Sequence, residues 1–246
     1  MANIVDERGY NQIYGSSPAQ AIRLRRRAEA MVREMNLPEG PERRKGIHIL
    51  EIGCGMGELT YHLAQITGAC VTGVDLSPQF IEHAAASHQH PNLAFAVVDL
   101  RKATPAAEQQ KYHYIVGNGI LHHLYFNLDE VLPRLARWLR PGGRLVFWEP
   151  NLHNPYIYAI FSFSALRRWA RLEPDEMAFS AQFIRRQLTQ AGYSNISATP
   201  RDYVLPNTPR VLVGAVVLLG SVLEHVPLVR ATAQSLFIVA ALPNRI

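Results

Sequence analysis

Cysteine is scarce in this 246-residue chain, which has only Cys54 and Cys70. Two are too few for a disulfide framework, and their 16-residue separation lacks the paired spacing of a zinc site. A reducing, cytoplasmic compartment is the expectation. Lysine is nearly as rare: Lys45, Lys102 and Lys111 are all there are, so arginine supplies 22 of the 25 basic residues behind the formal charge of +5. Residues 1–8 hold no apolar segment behind a basic one, which argues against a signal peptide. Long apolar runs are missing too. The longest, Val211 to Leu223 with Ser221 inside it, falls short of the roughly 18–20 residues that span a bilayer, although it suits a surface position. There is no Ser, Gly or Pro tract, and with 48% hydrophobic and 18% charged residues the chain is neither disordered nor collagen-like. At this length a single globular domain over 1–246 is the economical reading.

Within that domain, residues 1–45 read as a helical cap, 46–150 as a regular core, 151–230 as an acceptor-binding lid with C-terminal elements, and 231–246 as a final strand. In the cap, Ile22, Leu24, Ala28, Met31, Val32 and Met35 form a patchy helical face, which predicts a helix from Pro18 to about Asn36, broken by Pro38-Glu39-Gly40-Pro41. From Ile47 short apolar runs alternate with longer helical stretches. Strands are expected at 47–52, 70–75, 93–98, 112–117 and 143–149, and helices at 57–67, 78–88, 104–110 and 128–139, the last stopped by Pro141-Gly142-Gly143. Such alternation builds a parallel sheet through right-handed crossovers. Residues 150–176 break the pattern and read as a long aromatic connection of the kind that forms lids. A helix at 178–191, a strand at 194–204, the apolar stretch 208–225 and a strand at 235–242 complete the chain.

The most informative segment runs from Ile47 through Leu50-Glu51-Ile52-Gly53-Cys54-Gly55-Met56-Gly57-Glu58 to Thr60. A buried strand enters glycines at alternate positions and then a helix, so the backbone turns tightly and lets a ligand approach. Glu58 stands where a dinucleotide fingerprint wants a small residue, and no Gly-Lys-Ser/Thr of a Walker loop follows. Glu51 would repel a pyrophosphate and suits a cationic ligand. Asp75 ends the second strand, 18 residues beyond Gly57, where it can accept two ribose hydroxyls. Asp99 ends the third, placed to accept from an adenine amino group, with Leu100 beside the ring.

These successive motifs resemble those of class I S-adenosylmethionine-dependent methyltransferases of the small-molecule type. The resemblance covers about residues 47–150 and rests on the Glu-x-Gly-x-Gly-x-Gly loop, Asp75, Asp99 and the Pro-Gly-Gly strand entry in order. It implies a Rossmann-like, doubly wound α/β sheet of seven strands in the order 3-2-1-4-5-7-6, the last antiparallel, with S-adenosylmethionine as cofactor and S-adenosylhomocysteine as its product. It further implies that Gly53, Cys54, Gly55 and Gly57 line the methionine part above Glu51, that Asp75 with Leu76 holds the ribose, and that Asp99 and Leu100 hold the adenine. Asn118 resembles a polar position that holds the methionine moiety, and Tyr10 or Tyr14 the aromatic that folds over the cofactor; core packing is the competing role for both tyrosines.

The fourth strand leads into Asn118-Gly119-Ile120-Leu121-His122-His123, at the sheet edge where open α/β folds bind ligands. Methyl transfer is an in-line displacement that demands alignment and needs a base only if the acceptor carries a proton. Histidine titrates near neutral pH, so His122 and His123 are the candidate bases, His123 matching the one some relatives use. Alternatively, one faces the core or caps a helix. Glu149, ending the fifth strand, either orients the acceptor or bonds a loop amide. His62, His83, His88 and His90 lack convergent carboxylates, so no metal is expected.

The aromatic and apolar parts, 150–176 and 200–230, suggest a small hydrophobic acceptor, lipidic, quinone-like or polyketide-like, methylated on oxygen, carbon or nitrogen. Nucleic acid is not expected: the arginines of the first helix are diluted by Glu29 and Glu34, and the Asn/Asp-Pro-Pro-Tyr/Phe signature of base methylation is missing after Asn118. The rival readings are an RNA-modifying methyltransferase, which requires an arginine patch at the cofactor mouth, and a noncatalytic S-adenosylmethionine-binding partner, which requires no acceptor pocket. A peripheral membrane contact through 155–171 or 211–223 is compatible with either a monomer or a homodimer.

Overall fold

In β1 (His48–Ile52), β4 (Tyr112–Asn118) and β5 (Leu139–Pro150) consecutive residues enter different cores. Ile49, Val116 and Val146 pack with Met31, Met35 and Leu63 on one face, while Leu50, Ile115 and Leu145 join Leu132, Leu135 and Phe147 on the other. Strands buried on both faces belong in the middle of a sheet covered by helices. That is the arrangement in the computed structural model, which describes residues 17–102, 111–205 and 208–244. Tyr10, Tyr14 and the helix expected at 104–110 lie outside the described residues.

The remaining strands are β2 (Cys70–Asp75), β3 (Leu93–Val97), β6 (Ser194–Arg201) and β7 (Ser235–Ala241). The seven-stranded sheet has the order β3-β2-β1-β4-β5-β7-β6. β1 to β5 pair in parallel, and β7 lies antiparallel to both β5 and β6. Order and the antiparallel last strand agree with the expected Rossmann-like fold.

The helices in chain order are α1 (Pro18–Glu34), α2 (Pro41–Arg44), α3 (Glu58–Thr67), α4 (Pro78–Ser87), α5 (Leu128–Trp138), α6 (Pro155–Ser162), α7 (Ser164–Trp169), α8 (Ala181–Gln190), α9 (Arg210–Leu223) and α10 (Pro227–Arg230), with a 3-10 helix at Leu121–Asn127. Several starts are chemically marked. Ser17, Ser77, Asn154 and Ser180 each accept a backbone N–H three residues on, satisfying a first-turn donor that the helix leaves unpaired.

The strand expected at 194–204 ends at Arg201 and the helix expected at 178–191 begins at Ala181; two further differences concern how the chain is built. Pro141-Gly142-Gly143 does not precede β5 but lies inside it: from Tyr112 to Tyr114 the partner register moves from Leu139 to Arg144, a bulge that Gly142 turns with a φ of 75°. Residues 150–176 are not an irregular connection either. They contain α6 and α7, which fold onto a small core of Ile157, Ile160, Phe161, Ala170, Leu172 and Ala178. Aromatic density masked the helical spacing of the three buried α6 residues.

Candidate functional site

Strand order reverses around β1 and β4, and the loops leaving their carboxyl ends frame a crevice. On the β1 side the chain turns through left-handed Gly53, Gly55 and Gly57, with φ of 64°, 52° and 87°. A Cβ at Gly53 would sit 2.5 Å from the Ile120 side chain, and one at Gly57 would press on Phe95 and Ala84 within 3 Å. Gly55 has nothing within 4 Å of that position. Two of the glycines therefore let the loop pack against its neighbours, and the third faces open space.

Carboxylates surround this turn. Glu51 is buried, accepts from the Thr60 hydroxyl at 2.5 Å, and is pushed up to about 8 by burial, against the Thr60 bond and helped by the charges of Glu58 and Asp75. Asp75 accepts from Gly55 N–H and Ser77 N–H, each at 2.9 Å, and burial lifts it above the ordinary range despite those bonds. Burial also raises Asp99, but Arg101 and Lys102 overcome it and hold the carboxyl below its usual value. Burial, with Glu51 and Asp75 nearby, pushes the Cys54 thiol up; its backbone carries the turn, donating to Val74 and accepting from Gly57.

On the β4 side, Asn118 accepts from Arg27 at 2.7 Å. Glu149 Oε1 accepts from Ile120 N–H at 3.0 Å and Leu121 N–H at 2.7 Å, and its Oε2 meets His122 N–H at 3.3 Å and His122 Nδ1 at 2.9 Å. One buried carboxylate thus fixes both the backbone and the ring of the loop, with the proton of His122 on Nδ1. Bonding loop amides, one of the two roles weighed for Glu149, is present in these contacts.

Glu176 completes the cluster and was missed in the sequence, because nothing in an irregular segment marks one acid among Glu173, Asp175 and Glu176. Its Oε2 lies 3.8 Å from His122 Nε2 and its Oε1 3.4 Å from His123 Nδ1. Arg167 holds the turn in place by donating to the carbonyls of Phe161, Glu173 and Glu176. Burial lowers His122, but Glu149 and Glu176 win and raise it; burial and the neighbouring His122 hold His123 well below the ordinary imidazole range. Burial raises Glu176. The metal-free expectation rests on His62, His83, His88 and His90; Glu176 converges instead on His122 and His123, and one nitrogen or oxygen of each of these three lies within 4.8 Å of the others.

A single cavity of about 590 Å³ joins these groups. Glu51, Gly53, Cys54, Gly55, Asp75, Leu76, Asp99, Leu100 and Asn118 line one end and His122, His123, Glu149 and Glu176 the other, with Ile157, Ile160 and Phe161 as an apolar wall. Gly57 does not line it; it sits behind the turn. The α1 helix contributes Arg23 and Arg27, whose guanidinium groups face inward to buried Asp202, at 3.6 and 3.1 Å. Two arginines that suggested a basic surface are structural ion pairs. Trp148 also lines the cavity, and its buried indole N–H has no partner among the described residues.

A family model described as "Methyltransferase domain" matches residues 50–145. Trans-aconitate 2-methyltransferase of Streptomyces avermitilis is 34% identical over 154 residues, which cover 60% of this chain and 54% of that protein. Ubiquinone biosynthesis O-methyltransferase of Coxiella burnetii is 34% identical over 150 residues, covering 59% of this chain and 61% of that one. The chain thus spans a little over half the length of these relatives. Among solved structures, Haemonchus contortus phosphoethanolamine N-methyltransferase 2 in complex with S-adenosyl-L-methionine matches 89% of this chain and 52% of its own, with a TM-score of 0.63 at 16% identity. The CurJ carbon methyltransferase matches 95% and 57%, with a TM-score of 0.64 at 20% identity. The family match, the glycine turn and the acids at the ends of β1 and β2, set on a sheet of this order, identify residues 50–145 as a class I S-adenosylmethionine-dependent methyltransferase domain.

Proposed function

We propose that this protein transfers a methyl group from S-adenosylmethionine to a small, largely apolar acceptor that carries a titratable proton. The observation that carries the proposal is the continuity of the cavity, with the glycine turn and its acids at one end and the histidine–glutamate cluster with an apolar wall at the other. Its volume falls within the roughly 300–1,000 Å³ of small-molecule sites. The residues fit the cofactor on their own chemistry. Gly55 leaves open space, Asp75 keeps lone pairs beyond its two backbone bonds, and Glu51 is a buried carboxyl that only a nearby cation would ionise cheaply. When bound, S-adenosylmethionine supplies an electrophilic methyl on a sulfonium sulfur.

In this reading Asp75, with Leu76 beside it, accepts the ribose hydroxyls and Asp99 with Leu100 receives the adenine. The Gly53–Gly55 backbone, Glu51 and Asn118 hold the methionine end. His123, neutral at ordinary pH, takes the acceptor's proton on Nε2 while Glu176 faces its Nδ1 and steadies the imidazolium that results. Glu149 and His122 act as positioning residues that fix the loop. Ile157, Ile160 and Phe161 orient the acceptor and exclude water. An RNA acceptor is not favoured, because Arg23 and Arg27 are spent on Asp202 rather than displayed at the mouth. Incubation with S-adenosylmethionine labelled with tritium in the methyl group, across quinones, phenols, lipids and total RNA, tests the proposal. Label in an organic-soluble product is expected; label in RNA, or bound cofactor with no transfer to any acceptor, would overturn it.

A further inference from the structure

The α9 helix buries only Val213 and Gly220. Around them Val211, Leu212, Leu218, Leu219 and Val222 are exposed, Val211 by 87% and Leu218 by 71%, and Leu228 on α10 is 87% exposed. No charged residue occurs between Arg210 and Glu224. A helix this apolar does not remain in water at no cost, since contiguous exposed patches beyond a few hundred Å² are rare on monomers. It is too short to cross a bilayer, and no helix among the described residues is long and apolar enough to do so. A second such surface lies on the outer side of α6 and α7, where Tyr158, Phe163 and Trp169 are exposed, Trp169 by 64%. The two are stapled together: Asn154, which caps α6, donates to Thr232 O, and Asn151 donates to Ala231 O and Ala233 O directly beyond α10.

We infer that these two faces dock the protein on an anionic lipid bilayer, a reading that rests on the hydrophobic acceptor proposed above and names where that acceptor is met. Charge chooses the occupant. Exposed Arg168 and Arg171 border the aromatic face, and exposed Arg210 and Arg230 border the apolar one. Glu224, the acid nearest α9, is engaged by the Asp202 N–H. A second copy laid on this surface would bring arginines toward arginines, whereas anionic headgroups complement them, and apolar side chains rimmed by arginine with tryptophan and tyrosine are the composition of interfacial segments. The inner side of α6 is the apolar wall of the cavity, so a molecule leaving the bilayer behind α6 has a short path to His123.

The test is flotation of the full chain with phosphatidylcholine vesicles, with and without about 30% phosphatidylglycerol, combined with tryptophan fluorescence. Trp138 and Trp148 are buried, so a blue shift reports Trp169. Flotation with the anionic vesicles and a blue shift are expected. The pair Leu218→Glu and Leu219→Glu should lower partitioning at least about tenfold, and Arg210→Glu with Arg230→Glu should remove the dependence on phosphatidylglycerol. Calorimetric binding of S-adenosylhomocysteine, expected unchanged in both variants, separates failure of docking from failure of the cofactor site. No flotation by a protein that still binds S-adenosylhomocysteine would overturn the inference. So would a dimer in solution that the Leu218→Glu and Leu219→Glu pair dissociates, because a second copy would then cover the face. Flotation without a blue shift would overturn the part assigned to α7.

Discussion

Replacing Glu51 by glutamine should stabilise the cofactor-free protein while damaging its ligand affinity. Burial holds this carboxyl near a pKa of about 8, against the ordinary 4.5 of the unfolded chain. Because the folded value is the higher one, its protonation favours folding fully below about pH 4.5, and that contribution is lost as pH rises through about 8. Within the window stability falls by about 1.4 kcal/mol per pH unit, which amounts to about 3 kcal/mol at pH 7. Glutamine carries no charge to bury and can still pair with Thr60. Urea denaturation of both proteins, at several pH values between about 5 and 9, isolates the effect as the difference between the two curves, since His122, His123 and Glu176 titrate in both. The wild type should fall behind by an amount that grows with pH up to about 8 and then levels. The same carboxyl should lose most of its proton when S-adenosylmethionine binds near pH 7, measurable by calorimetry in buffers of different ionisation enthalpy. Parallel stability curves and binding with no proton release would refute a buried, protonated Glu51 waiting for a cation.

Three further outcomes follow from named contacts. Asp75→Ala should weaken S-adenosylhomocysteine binding by at least about tenfold by calorimetry, since two hydrogen bonds to a charged group are lost; unchanged affinity would remove the ribose assignment. His123→Ala should lower turnover of an identified acceptor by about 10²–10⁴-fold, and the wild-type rate should decline only well below pH 6.5, because His123 is held deprotonated; an acid limb near or above 6.5 would exclude it as the base. Arg27→Met should cost about 3–5 kcal/mol in denaturant unfolding, because it leaves Asp202 buried with a weakened counter-charge; a loss under about 1 kcal/mol would show the pair to be dispensable.

Much of the fold was legible because both periods involved are local. Strands β2 and β4 end in the polar residues Asp75 and Asn118, and β1 marks itself by the spacing of the glycine turn that follows it. The bulge in β5 was not legible, since Pro141-Gly142-Gly143 is also what ends a helix, and only pairing with β4 shows that the strand has already begun at Leu139. The cofactor end of the site was readable from Glu51, Asp75 and Asp99, each within two residues of the carboxyl end of a strand. The opposite end was half visible: His122 and His123 occupy a predictable loop, but Glu176 arrives from 53 residues away by way of α6, α7 and the turn caged by Arg167. Long-range convergence of that kind leaves no periodic trace. Arg23 and Arg27 show the same limit in reverse. Their partner, Asp202, lies 179 and 175 residues away, so nothing local distinguishes them from the solvent-facing arginines beside them.

Calorimetric titration of the purified chain with S-adenosylhomocysteine tests the cofactor assignment most directly. Saturable binding at one site per chain, abolished or weakened by Asp75→Ala, is the expected result, and a wild-type protein that is folded yet gives no saturable binding would contradict it.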